Sequence, residues 1–339
     1  MNKTRLAVIG AGHIAQVAHI PFWKKMPEVE LVAVCDANLA RARAVAEKFE
    51  IPHYFSDDDQ VLREDSIEAV DVCAPTNAHM TIAINALSAG KHVLVEKPMS
   101  RSLEEGQRMV KAAAQYQRKL MVAMNVRFRR DAINLKSFIE SGDLGELFYA
   151  KSGWLRRQEK WTERSWLFQK QYSGGGVLMD LGIQMLDLSL WLFGNRKAKR
   201  VKAATYNKVA RLDVEDAAVA FVHLEDGATL TLEVSWTFLA PQDDLYANLF
   251  GTKGGALLNP LRVMKEMHGS LINMTPRTED TPIHLYKRSY KNELSHFIKC
   301  VRDNTPMLSS GEESLERMRI VEAMYESARV GREVEIDVA

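Results

Sequence analysis

Short apolar runs alternate with helical segments through the first 124 residues of this 339-residue chain, and that alternation restricts the fold more than any other feature. The runs Arg5–Ile9, Leu31–Cys35, Ala69–Cys73, His92–Val95 and Leu120–Met124, with a shorter one at His53–Phe55, read as strands. Helical patterns to about Lys25, and at Leu39–Phe49, Asp58–Arg63, Met80–Ala89 and Leu103–Gln117, separate them. Strands apolar along their whole length are buried on both faces. The expected architecture over residues 1–124 is therefore a Rossmann-type, doubly wound parallel sheet in an α/β fold.

Residues 125–339 read differently. Phe148–Leu155, Val214–Leu224, Ala228–Trp236 and Tyr246–Phe250 are long strand candidates, and in the third Leu230, Leu232, Val234 and Trp236 alternate with polar neighbours. Such a sheet has two unlike faces. Glu225-Asp226-Gly227 reads as a hairpin turn, so the expectation is an α+β domain with a large, mostly antiparallel open sheet. Helices at Arg130–Ser141, Gly176–Phe193, Lys291–Asp303 and Ser314–Val330 complete it.

Charge is nearly balanced, 45 Lys and Arg against 44 Asp and Glu, which gives no electrostatic footprint for nucleic acid or an anionic membrane. Cys35, Cys73 and Cys300 are far apart, two of them in apolar runs, so neither a disulfide framework nor a metal cluster is expected. The remaining histidines, among them His223 and His296, show no metal-ligand spacing either. Met1–Thr4 leads straight into the first strand without room for a signal peptide, and no apolar run reads as long enough to span a bilayer. A cytoplasmic protein is expected.

The first strand ends on Gly10-Ala11-Gly12-His13-Ile14-Ala15, and a helix follows. In such a turn Gly10 permits the sharp exit, Gly12 lets backbone approach a pyrophosphate, and Ala15 is small enough for close helix–strand contact. Asp36 closes the second strand where a carboxylate accepts both ribose hydroxyls, which favours NAD and repels the 2′-phosphate of NADP; a helix N-cap is the other reading. Arg41 and Arg43 either soften that preference or lie as solvated helix-surface groups.

Glu96-Lys97-Pro98 stands at the carboxyl end of the fifth strand, where parallel sheets present ligand-binding groups. A partly desolvated lysine there can take the proton of a substrate hydroxyl as hydride leaves the carbon. Further along, Ser173-Gly174-Gly175-Gly176 opens a helix with Asp180, Gln184 and Asp187 on one face. The glycine run implies close approach by another backbone or by a ligand.

Together, the segments GAGHIA, CDAN, APTNAH, GKHVLVEKPMS, GDLGEL, GGGVLMDLGIQMLD and SARVGREVEI resemble the Gfo/Idh/MocA oxidoreductase family over nearly the whole chain. The resemblance implies NAD(P)-dependent oxidation or reduction of a sugar, polyol or sugar derivative, with the second domain's sheet mediating a homodimer or homotetramer. By position it makes Lys97 the catalytic lysine and sets Glu96 beside the nicotinamide. Pro75, Asn77 and His79 fall near the nicotinamide ribose and Asn125 near the substrate, although His79 also reads as a helix-start packing residue.

One position departs from the family pattern Asp-x-Gly-x-His-x-x-Asp: after Asp180 and Gly182 this chain has Gln184, which hydrogen-bonds but cannot exchange a proton near neutral pH. Lys97 then acts as sole acid/base with Asp180 orienting it or the substrate, or the substrate is not a simple polyol, or the chain binds cofactor without turnover. A non-catalytic dinucleotide-binding regulator and an NAD-assisted glycosidase are the competing functions. Trp154, Trp161 and Trp166, with Arg156, Arg157 and Arg164, offer flat faces for a sugar and forks for an attached anion, or else anchor the segment to the core. Arg127 reads as a contact to substrate or Asp180, or as a domain-tying ion pair.

Overall fold

The computed structural model describes residues 3–158, 165–209, 212–277 and 280–336. Two compact units emerge, one formed by Met1–Asn125 with Lys287–Glu316 and the other by Val126–Tyr286 with Arg317–Ala339.

In the first unit the strands are β1 (Thr4–Ile9), β2 (Val29–Cys35), β3 (His53–Phe55), β4 (Ala69–Val72), β5 (His92–Glu96) and β6 (Leu120–Ala123). All pair in parallel in the order β3-β2-β1-β4-β5-β6. The order reverses between β1 and β4, and the loops leaving these two strands form the switch point where such sheets bind ligands. Leu6, Val8, Val70, Val93 and Val95 are fully buried, as strands covered on both faces require. The chain does not divide at one point, because Lys287–Glu316 returns to this unit. The edge of β6 explains the return: Val122 donates its N–H to the Ser309 carbonyl, and Ser309 Oγ donates to the Val122 carbonyl, closing an otherwise open strand edge.

The second unit is built on a nine-stranded sheet of β7 (Leu147–Arg157), β8 (Ala198–Tyr206), β9 (Ala217–Leu224), β10 (Thr229–Phe238), β11 (Asp244–Gly251), β12 (Gly254–Leu258), β13 (Arg262–Met267), β14 (Ser270–Asn273) and β15 (Val334–Glu335). Its order is β14-β13-β12-β11-β7-β10-β9-β8-β15, antiparallel except for the β7–β10 pair. The face bearing Ser152, Leu230, Leu232, Val234 and Trp236 is buried. Opposite it, Val219, Phe221, Phe250 and Leu257 stay 37–44 % exposed. Helix Ile183–Leu192 lies on the buried face, where Ser189 Oγ donates to Ser152 Oγ at 2.9 Å.

One expectation needs correcting: Lys170–Leu192 is long and apolar enough by composition to cross a membrane. Its apolar window is buried inside the protein, and the residues from Val177 to Phe193 form the centre of the second unit's core.

Candidate active site

The dinucleotide loop of the first unit has the shape that its glycines predict. Gly10 adopts φ +99°, and a Cβ there would lie 2.4 Å from the Ala74 main-chain nitrogen, so only glycine fits between the ends of β1 and β4. Around Gly12 nothing lies within 4 Å of an added Cβ, which leaves open space where a phosphate group would approach the backbone. Of the residues that follow, His13 is exposed and Ile14 half-buried.

Asp36 directly follows β2, accepting the Ala11 N–H at 3.0 Å on Oδ2 and the Asn38 N–H at 2.9 Å on Oδ1. These bonds fix the carboxylate beside the glycine loop. The N-cap of the following helix is Asn38, whose side chain accepts from the Arg41 N–H. Arg41 also reaches Asp36 at 3.3 Å, while Arg43 turns away to Glu47. The loop, the open space at Gly12 and the fixed carboxylate fit a dinucleotide: Gly12 and the helix start would hold the pyrophosphate, and Asp36 the ribose.

Pro75 is exposed and precedes helix Thr76–Ser88, with Asn77 half-buried in its first turn. His79 is buried, with Nδ1 3.0 Å from the Pro98 carbonyl and Nε2 2.8 Å from the Ala74 carbonyl. Burial pushes its pKa down, and both ring nitrogens are committed to main chain, an arrangement that fits the packing role. At the end of β5 the half-buried Lys97 donates its main-chain N–H to Glu96 Oε2 at 3.0 Å, and the Lys97–Pro98 peptide is cis. Asn125 is buried and donates to Ser289 Oγ at 3.0 Å.

Below these strand ends lies a buried group that sequence reasoning missed. A π-helical turn at Ala15–His19 carries His19 into the interior. There Nδ1 stands 2.8 Å from Asp71 Oδ2 and Nε2 stands 3.0 Å from Glu96 Oε1. Trp23 Nε1 donates to the same Asp71 oxygen at 2.7 Å. Burial opposes a charge on His19, but its neighbours Asp71 and Cys73 together hold the pKa well above the usual histidine range. His19, Asp71 and Cys73 are also close enough to be read as metal ligands, yet both imidazole nitrogens already face carboxylates. Burial pushes the Cys73 thiol far up. The available signal was a histidine in an apolar helix and an aspartate inside the apolar run Ala69–Cys73.

The second unit explains its glycine run internally. A Cβ on Gly176 would lie 2.1 Å from the Glu215 carbonyl, and one on Gly175 would lie 2.1 Å from Tyr325 Oη. The Glu215 carboxylate accepts the N–H groups of Gly176 and Leu178 and the Tyr325 hydroxyl, so the helix start is filled by protein. Backbone makes the close approach at Gly176, and the Tyr325 side chain makes it at Gly175. Burial raises the Glu215 pKa.

A second π-helical turn, Leu178–Gly182, carries Asp180, which accepts from Trp236 Nε1 at 2.9 Å. Gln184 donates its amide to the Asp180 carbonyl at 2.9 Å. Arg127 meets Asp187: its Nε lies 2.5 Å from Asp187 Oδ2, and Arg317 joins the same carboxylate at 3.1 Å. With exposures of 0 %, 1 % and 3 %, Arg127, Asp187 and Arg317 are interior groups, and their ion pairs lie within the second unit, not across two domains.

The predicted Trp/Arg cluster separates. Trp154 is half-buried on the covered face of β7, edge-on to Tyr286, while Arg157 is exposed and donates its main-chain N–H to Asp243 at 2.9 Å. Three residues apart on a strand, they point to opposite faces. Arg156 is half-buried and Trp166 sits exposed in a short 3₁₀ turn; Trp161 and Arg164 lie outside the described residues.

Residues 4–124 match the model of an oxidoreductase family with an NAD-binding Rossmann fold, and residues 136–336 match the C-terminal alpha/beta domain of the same family. The chain belongs to the Gfo/Idh/MocA oxidoreductase family. It is 30 % identical to D-glucoside 3-dehydrogenase of Escherichia coli (strain K12), over 99 % of this chain and 98 % of that protein. It is 28 % identical to the NAD(+)-dependent scyllo-inositol 2-dehydrogenase of Bacillus subtilis (strain 168), over 99 % and 97 %. Among solved structures, a levoglucosan dehydrogenase in complex with NADH shares the fold at a TM-score of 0.89 and 23 % identity, with both chains fully covered. An oxidoreductase domain protein from Kribbella flavida does so at 0.91 and 21 %, again with full coverage of both.

Proposed function

We propose that the chain is an NAD-dependent oxidoreductase that moves hydride between a nicotinamide and a hydroxyl-bearing or keto carbon of a sugar, polyol or sugar derivative. The observation that carries this reading is the position of Lys97, retained at the carboxyl end of β5 in a unit whose glycine loop and Asp36 suit a dinucleotide. The nicotinamide supplies the hydride chemistry; Lys97 is the proton acceptor for the substrate hydroxyl, and Asp36 selects NAD over NADP. Asp180, oriented by Trp236, and Gln184 hold substrate hydroxyls by hydrogen bonds, and Trp154 offers the sugar a flat face. The relatives that act on a glucoside and an inositol narrow the panel to test.

Reduction of NAD, followed by nicotinamide absorbance, with glucosides, inositols, apiose and levoglucosan tests the proposal. Turnover with at least one sugar is the expected result. Dinucleotide binding without turnover on any would favour the regulator reading, in which Gln184 marks a site that has lost its acid/base group. The uncovered sheet face with Val219, Phe221, Phe250 and Leu257 is the surface we assign to a homodimer or homotetramer. The three buried free cysteines suit the reducing cytoplasm.

A further inference from the structure

The strand ends of the first unit hold more ionisable groups than a dinucleotide loop and one lysine require. Trp23, Asp71, His19 and Glu96 form a continuous buried chain of hydrogen bonds that ends on the main-chain N–H of Lys97. Asp71 and His19 have no solvent exposure, whereas the Glu96 side chain keeps 11 % of its surface open. A neutral imidazole carries one N–H, yet both ring nitrogens of His19 face carboxylate oxygens, so only the imidazolium donates to both. Also near the ring are the Tyr290 ring, 5.9 Å away, and Cys73, whose thiol contacts Asp71 at 3.5 Å and stays uncharged. Two carboxylates and one cation are thus held together, and Glu96 is the member nearest the surface.

We propose that His19 is a positioning residue: as an imidazolium between Asp71 and Glu96 it pins the Glu96 carboxylate at the carboxyl end of β5, where that charge favours the oxidised, cationic nicotinamide over the reduced, neutral one. This rests on the NAD-dependent reading and adds a cause for the redox state the site prefers. Glu96 Oε1 is tied to His19 and Oε2 to the Lys97 N–H, so the carboxylate cannot rotate away without breaking a bond. Without the cation, two carboxylates would share one apolar pocket, and one of them would take a proton or move.

Calorimetric titration with NAD+ and with NADH, on wild type, Glu96→Gln, His19→Gln and the double variant, reads the proposal without turnover. Glu96→Gln lowers the ratio Kd(NADH)/Kd(NAD+) by about five- to tenfold, the size of one charge acting through a partly solvated site. His19→Gln shifts the ratio the same way, and the double variant goes no further than Glu96→Gln, because His19 acts through Glu96. Should His19→Gln fail to fold, Asp71→Asn must give the same shift. A folded His19→Gln or Asp71→Asn with the wild-type ratio overturns the proposal, as does a double variant whose two effects multiply. Wild type that binds neither dinucleotide would overturn the NAD-dependent reading itself.

Discussion

Each unit carries a π-helical turn with an ionisable side chain, and the two turns do opposite things with it. The first, Ala15–His19, sends a histidine inward to two carboxylates and so builds a charged group below the strand ends. The second, Leu178–Gly182, presents a single carboxylate, Asp180, to the indole of Trp236, and a glutamine follows it one turn later. An extra residue in a helical turn re-aims one side chain while the helix continues, which is why such turns recur at functional sites. On the proposed function, the contrast would set proton chemistry in the first unit against hydrogen-bonding selection in the second.

The sharpest way to break that contrast is Lys97→Ala. If the proton acceptor belongs to the first unit, turnover falls about 10²–10⁴-fold with NAD affinity nearly unchanged, measured by steady-state kinetics beside calorimetry. An unimpaired rate would move the proton acceptor elsewhere. Asp187→Asn comes next: it strips the interior of the second unit of the charge shared by Arg127 and Arg317, at a cost of about 3–5 kcal/mol in denaturant unfolding. A loss below about 1 kcal/mol would mean that the arginines find other partners.

Trp236→Phe removes the indole donor of Asp180, worth about 1.5–3 kcal/mol for a hydrogen bond to a charged group. A rise in KM with kcat held would sharpen the selection role; a fall in kcat alone would assign Asp180 to the chemical step. The smallest effect is on pH. His19 has its pKa raised on folding, so its stabilisation is complete below the ordinary value of 6.5 and is lost as pH rises through the folded value. Thermal melts at rising alkaline pH should therefore decline more steeply for wild type than for His19→Gln, and parallel slopes would deny the imidazolium.

The same contrast explains what sequence could reveal. Strands β1, β2, β4, β5 and β6 were legible because a strand buried on both faces is apolar throughout, the exposed β3 from its place in the alternation, and the glycine loop because Gly10 and Gly12 answer to local geometry. Strands β8, β12, β13, β14 and β15 were missed: several are short or carry exposed charged residues, and their pairing depends on distant partners. Helix Thr76–Ser88 begins earlier than its periodicity suggests, right after Pro75, whose extended backbone sets the start. The glycine run was recognised as a close approach, but its partners, Glu215 and Tyr325, come from far along the chain. His19 escaped because a π turn shifts the helical phase by one residue, and its meaning lies in Asp71 and Glu96 on two other strands.

Hydride transfer itself is open to direct measurement. Given the sugar found active in the panel, deuterium placed on each hydroxyl-bearing carbon in turn, with mass spectrometry of the recovered dinucleotide, follows the transferred atom. The account predicts that one labelled position delivers a single deuterium to the nicotinamide and that Lys97→Ala slows this transfer about 10²–10⁴-fold without changing the position. Sugar consumed with no deuterium reaching the dinucleotide from any position would contradict it.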